Sequence, residues 1–165
     1  GIARALALEP DVLLADEPTA GLDVSVAAGL LNLLKDLRDR LDLTYIIITH
    51  NLNVIGFISD RVAVMYLGQI LELAETEELF ESPRHPYTEA LLSAIPVPDP
   101  RARGREDRII LTGEIPSPRN PPSGCPFHPR CAYAAETCRK EMPVLRSLEE
   151  GGRLIACHSL DRVAV

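Results

Sequence analysis

The amino-acid sequence of 165 residues predicts an α/β fold over its first half, followed by a proline-rich connector and a small cysteine-rich tail. Short apolar runs alternate with an amphipathic segment near the start, which is typical of a sheet covered by helices. Seven of the fourteen prolines lie between residues 96 and 124, and all four cysteines come after residue 124. We therefore predict an α/β domain over residues 1–80, a connector over 81–124 and a tail over 125–165.

Two apolar strands flank one long helix in the predicted α/β domain. Residues 12–15 form an unbroken apolar run, which is typical of a strand buried on both faces. Residues 25–41 carry leucines at helical spacing, and Asp23 is placed to cap this helix. Residues 44–49 are β-branched and aromatic, which predicts a second buried strand and, with the first, a mostly parallel sheet.

Shorter elements are expected to close the α/β domain and lead into the connector. Two runs separated by Leu67-Gly68 indicate an antiparallel hairpin at the sheet edge. Prolines 83 and 86 exclude one continuous helix there. The predicted elements are helices over 52–58, 76–80 and 87–95, strands over 61–66 and 69–74, and a possible connector strand over 108–112.

The overall charge and hydropathy exclude several classes of protein. A net charge of -7 would repel a phosphate backbone, so we expect no nucleic-acid partner. No apolar run approaches the roughly 18 residues of a bilayer span. The first residues do not have the pattern of a secretory signal, and we expect a soluble cytoplasmic protein.

Polar side chains follow both predicted strands of the α/β domain. Asp16 and Glu17 end the first strand, and His50 follows the second. In open α/β sheets, ligands bind beyond the carboxyl ends of the strands, so these side chains are candidates for chemistry. An acidic pair at this position is typical of a Walker B segment that handles Mg²⁺ and the attacking water. An isolated acidic pair more often only begins a loop and caps the next segment.

Three motifs in register resemble those of ABC-type ATPase subunits: residues 13–19 (LLADEPT), 21–23 (GLD) and 47–50 (IITH). The resemblance implies that Asp16 is the Mg²⁺ carboxylate and that Glu17 polarises the water attacking ATP. It also implies that Asp23 lies in the D-loop, which couples the two nucleotide sites. His50 would be the switch histidine, contacting the γ-phosphate and holding the water.

The sequence contains no G-x-x-x-x-G-K-[ST] phosphate loop. The Walker A loop, the Q-loop and the signature of an ABC ATPase would all lie upstream of Gly1. We therefore interpret the sequence as the C-terminal part of a P-loop ABC ATPase, and we predict that this part alone does not hydrolyse ATP.

Residues 83–88 (PRHPYT), 90–96 (ALLSAIP), 113–118 (GEIPSP) and 121–125 (PPSGC) resemble the C-terminal extension of oligopeptide and dipeptide import ATPases. The resemblance implies a subunit on the inner face of the cytoplasmic membrane that energises peptide uptake. Its partners would be a second ABC ATPase subunit, the transmembrane permease subunits and, through them, an extracytoplasmic solute-binding protein. Residues 97–100 (VPDP) favour the second of the two paired ATPase subunits.

The four cysteines, Cys125, Cys131, Cys138 and Cys157, allow more than one chemistry. Zinc sites usually use tighter pairs than this C-x5-C-x6-C-x18-C spacing, and disulfides are rare in the cytosol. Four thiolates can also bind a [4Fe–4S] cluster, and the family resemblance implies this option.

Two alternative functions remain open from the sequence. One is a metal-cluster module in which the α/β part is only a docking scaffold. The other is a soluble ABC ATPase that does not serve transport.

Overall fold

The computed structural model describes residues 1–96, 108–147 and 152–159. The chain divides into two compact units, the first covering Gly1–Ser59 and the second beginning at Asp60. Residues 97–100, which the sequence analysis used to favour the second of the two paired ATPase subunits, lie outside the described residues.

The first unit is a parallel pair of strands with three helices. Its elements are α1 (Ile2–Leu6), β1 (Val12–Asp16), α2 (Val24–Leu41), β2 (Thr44–Ile48) and α3 (Leu52–Ile58). Strands β1 and β2 pair in parallel from Val12 opposite Thr44 to Asp16 opposite Ile48. Parallel strands require a crossover, which α2 provides. The predicted elements of this part are therefore confirmed.

One face of the β1–β2 sheet forms the core of the first unit. Leu13 is buried, and Tyr45 and Ile47 pack with α2 and α3 around Leu34 and Val54. The other face carries alternating apolar side chains that are about half exposed, namely Val12, Leu14, Ile46 and Ile48. The prediction that β1 is buried on both faces is therefore wrong for the described residues, in which only one face of this sheet is covered.

The second unit begins with the predicted hairpin, formed by β3 (Arg61–Tyr66) and β4 (Gln69–Glu75). Leu67 and Gly68 connect the strands with positive φ angles of 47° and 78°. Positive φ at both central residues is what a tight type I′ hairpin requires, because it matches the twist of the strands. In the described structure the hairpin does not extend the β1–β2 sheet as predicted, but starts a separate one.

Short elements complete the second unit. They are α4 (Thr76–Glu81), α5 (Pro86–Ser93), a 3-10 turn over His128–Arg130, α6 (Glu136–Lys140), β5 (Arg146–Ser147) and β6 (Leu154–Ile155). The strand order is β3-β4-β6-β5, and all pairs are antiparallel. The α/β expectation holds, but the expected mostly parallel sheet is wrong for the described strands. Residues 108–112 form no strand.

A buried ion pair attaches the cysteine-rich part to the hairpin. Glu72 on β4 is fully buried and accepts the backbone N–H groups of Arg84 and His85 at 3.0 and 2.9 Å. Arg153 lies 3.9 Å from the same carboxylate, and it also pairs with Glu78 at 3.0 Å. A buried charge is costly unless it is paired and hydrogen-bonded, and both conditions are met here.

Candidate functional site

The carboxyl ends of β1 and β2 bring the predicted catalytic residues to one sheet edge. The backbone N–H of Glu17 donates to the carbonyl of Ile48 at 2.8 Å, so the strand pairing continues one residue beyond Asp16. Glu17 adopts a positive φ of 45°. This left-handed conformation is uncommon for a residue with a side chain and is typical of functional turns.

The carboxylate of Glu17 is held by three hydrogen bonds from the segment after β2. Its Oε1 accepts the backbone N–H of His50 at 3.1 Å and lies 2.6 Å from the Nδ1 atom of the same residue. Its Oε2 accepts the hydroxyl of Thr49 at 3.1 Å. The structure therefore brings Glu17 and His50 together, and Asp16 lies beside them as an exposed carboxylate.

These contacts keep Glu17 ionised and orient the His50 ring. The hydrogen bond from the His50 side chain is the main cause that lowers the pKa of Glu17. Burial, the next largest effect, opposes it, and the Thr49 hydroxyl and the His50 backbone lower the pKa further. Since an ionised carboxylate only accepts, the Nδ1 atom of His50 must be the donor. Its Nε2 atom then accepts in the neutral ring and donates only when the ring is protonated. The His50 side chain is 89% exposed, so Nε2 is open to a ligand.

Asp23 begins α2 and performs a local structural task. Its Oδ1 accepts the Ser25 hydroxyl at 2.7 Å and the backbone N–H of Val26 at 2.9 Å, as predicted for a helix cap. The bond from Ser25 is the main cause that lowers its pKa. The D-loop role of Asp23, which the resemblance implies, stays a prediction.

Thr49 is a site residue that the sequence analysis did not identify. The sequence analysis placed it at the end of the predicted strand over 44–49 and within the motif of residues 47–50, without a role of its own. Its position between the end of β2 and His50 could have identified it, because its hydroxyl lies at the same sheet edge as Glu17.

The four cysteines lie in one region of the second unit, and none of them is in a disulfide. Cys125 donates its backbone N–H to the carbonyl of Cys138 at 2.8 Å, and both pack with Phe127. The pKa of Cys131 is raised to about 11, mainly by burial and to a smaller extent by the other three thiols. The thiols are thus close enough to repel one another's ionised forms.

The described part of the chain contains no group of three or more His, Cys, Asp or Glu side chains placed to hold a metal ion. This finding does not support the predicted [4Fe–4S] cluster, nor the zinc alternative.

The H-P-Y segment forms the N-terminus of α5. The Nδ1 atom of His85 caps this helix by accepting the backbone N–H of Tyr87 at 3.0 Å. The His85 ring is 1% exposed and packs near Phe127, and burial lowers its pKa to about 4. His85 is therefore neutral and structural at the start of α5.

No helix among the described residues combines the length and the apolar character that crossing a membrane requires.

Comparisons with known proteins point to one family. Residues 71–138 match the family described as oligopeptide/dipeptide transporter, C-terminal region. A peptide import ATP-binding protein of Brucella ovis is 56% identical over 92% of this chain and 47% of its own length. The dipeptide transport ATP-binding protein DppF of Haemophilus influenzae is 54% identical over 97% of this chain and 48% of its own. The chain spans about half the length of the curated relatives it matches.

A solved structure, cbiO1 from Clostridium perfringens, described as part of the ABC transporter complex cbiONQ, is 38% identical. The match covers 48% of this chain and 32% of that chain, with a TM-score of 0.46.

Proposed function

We propose that the chain is the C-terminal part of an oligopeptide/dipeptide transport ATP-binding protein and that it carries the water-activating edge of an ATPase site that drives peptide import. The observation that carries this proposal is the 2.6 Å contact between His50 and Glu17 at the end of two parallel strands. These relatives do not favour a metal-cluster module on a docking scaffold or an ABC ATPase outside transport.

Glu17 is proposed to polarise the water that attacks the γ-phosphate. Its lowered pKa keeps the carboxylate able to accept a hydrogen bond from that water. His50 is proposed to hold the same water or the phosphate through Nε2. Since Nδ1 donates to Glu17, Nε2 of the neutral ring accepts a hydrogen bond from that water, and only a protonated ring could donate to a phosphate oxygen.

Asp16 fits a role in holding Mg²⁺ because it presents exposed carboxylate oxygens, the ligand type that this ion prefers, beside Glu17. When bound, Mg²⁺ neutralises charge on the phosphates of ATP. The phosphate-binding loop that the sequence lacks would have to come from outside these residues, so the ATPase activity is proposed for the complete subunit.

The proposed setting is the inner face of the cytoplasmic membrane. The complete subunit would pair with a second ABC ATPase subunit through the D-loop that contains Asp23, and both would act on transmembrane permease subunits. Peptides or related solutes would arrive through an extracytoplasmic binding protein. The support for these partners is that the relatives are peptide import and dipeptide transport ATP-binding proteins.

The test is Glu17→Gln in the complete subunit assembled with its partners and reconstituted in vesicles. The change should lower kcat for ATP at least about 100-fold, since general-base contributions are of that order. Glu81→Gln, at the exposed end of α4, is the matched control and should leave kcat unchanged. Full ATPase activity of the Glu17→Gln complex, or no stimulation by peptide and binding protein, would overturn the proposal.

We also propose that the four cysteines ligate a [4Fe–4S] cluster. The donor set supports it: four thiols stand outside disulfides, three of them are buried, and the neighbouring thiols contribute to the raised pKa values of Cys125, Cys131 and Cys157. A cluster is larger than one ion, so its ligand sulfurs stand further apart than those of zinc. Anaerobic purification should give a brown protein with iron and acid-labile sulfide, lost in Cys131→Ser. A colourless protein with stoichiometric zinc, or with no metal, would contradict this assignment.

A further inference from the structure

We propose that Thr49 is a positioning residue that holds the Glu17 carboxylate in its working orientation while the His50 ring is engaged with the substrate. The proposal rests on the function proposed above and adds a residue to it.

The first argument is the division of contacts between the two carboxylate oxygens. Both contacts to Oε1 come from His50, one from its backbone and one from its ring, whereas Oε2 receives the Thr49 hydroxyl at 3.1 Å. Two oxygens held from two residues fix the rotation of the carboxylate about its last bond. With Oε1 contacts alone, the plane of the carboxylate could turn.

The second argument is that the direction of the hydroxyl proton is determined. The Thr49 Oγ1 atom accepts the backbone N–H of Asn51 at 3.1 Å, so its single hydrogen is left to donate to Glu17. Asn51 in turn caps α3 by accepting the N–H of Asn53 at 3.1 Å. The hydroxyl is therefore anchored to the start of a helix and does not rotate freely.

The third argument concerns what remains when His50 moves. The ring of His50 is 89% exposed, so its contact to Glu17 is lost whenever the ring rotates away from the geometry in which Nδ1 donates to that carboxylate. Thr49 is partly buried and bonded on both sides, so its hydrogen bond to Oε2 would persist. The Thr49 hydroxyl and the His50 backbone N–H then hold the Glu17 carboxylate in the same orientation.

The experiment compares Thr49→Val, Thr49→Ser and Thr44→Val in the complete ATPase complex. Valine keeps the shape of threonine and removes the hydroxyl, serine keeps the hydroxyl, and Thr44 at the opposite end of β2 is the matched control. We expect Thr49→Val to lower kcat about tenfold or more at unchanged KM for ATP, because small misplacements of a catalytic group cost up to about 100-fold. Thr49→Ser should restore most of kcat, and Thr44→Val should leave it unchanged.

Two further measurements separate positioning from a structural effect. In a Glu17→Gln background, Thr49→Val should have little additional effect on kcat, since both changes act on one group. In the present chain without nucleotide, Thr49→Val should shift the amide resonances of Asn51 and His50, and Thr44→Val should not.

Unchanged kcat in Thr49→Val, a serine variant as slow as the valine variant, or a valine effect that is fully additive with Glu17→Gln would each overturn the positioning role. These outcomes are distinct from failure of the proposed function, which would show as full activity of Glu17→Gln itself.

Discussion

Protonation of His85 is predicted to destabilise the second unit as the pH falls. The pKa of this buried ring is lowered from 6.5 to about 4, because burial penalises its charged form. Its folded pKa lies below its unfolded pKa, so the unfolded chain binds the proton more readily between these values. The stability contribution is therefore present above about pH 6.5 and is lost progressively as the pH falls toward 4.

The size of this effect follows from the difference between the two pKa values. At about 1.4 kcal/mol for each unit, the loss from His85 reaches about 2 kcal/mol by pH 5 and about 3 kcal/mol by pH 4. Other groups also titrate in this range, so a matched variant is needed. His85→Asn removes the titrating ring and retains a side-chain oxygen that can cap α5, as His85 Nδ1 now does.

The assay is urea denaturation at a series of pH values, followed by tyrosine fluorescence. Three of the four tyrosines, Tyr66, Tyr87 and Tyr133, lie in the second unit, and the first two pack against Phe127. The free energy of unfolding of the original chain should fall between pH 7 and pH 5 by about 2 kcal/mol more than that of His85→Asn. Parallel curves for the two proteins would refute the reasoning, because they would show that the ring takes up its proton equally in both states.

Three further substitutions should change stability by distinct routes. Gly124→Ala should lower the melting temperature, because Gly124 has a φ of 69° and an added Cβ would meet the carbonyl oxygen of Cys138; an unchanged melting temperature would contradict this. Arg153→Met should cost about 3 to 5 kcal/mol in urea denaturation, because it leaves Glu72 buried without its cation; a loss below about 1 kcal/mol would show that the pair is unimportant. Asp23→Ala should lower the urea midpoint through loss of the helix cap, whereas Asp23→Asn should be nearly neutral in the same assay; an unchanged midpoint for Asp23→Ala would contradict this.

The sequence was most informative about the first unit, where local patterns and contacts agree. The leucine spacing and the cap at Asp23 located α2, and the composition of residues 44–49 located β2. The polar endings of both strands identified Glu17 and His50, because parallel strands joined by a helix must end at the same edge.

The second unit was less predictable because its sheet depends on contacts between distant residues. Strand β6 has only two residues, Leu154 and Ile155, and it exists because it pairs with Glu72 and Leu73 on β4. No local pattern indicates such a strand.

The position of Thr49 at the Glu17 carboxylate was missed for a related reason, since a hydroxyl at a strand end can be assigned a role only once its acceptor across the sheet is known.

The long-range contacts of Arg153 bear on the order in which the second unit folds. Arg153 donates to the carbonyl of Glu78, 75 residues earlier, and reaches the carboxylate of Glu72 beside it. Contacts between such distant residues form late, since a long stretch of chain must first be closed. While residues 153–155 are still held in the ribosome, the nascent chain therefore has a β3–β4 hairpin with an unpaired β4 edge and a Glu72 carboxylate without its cation. Chaperones and proteases would recognise this state.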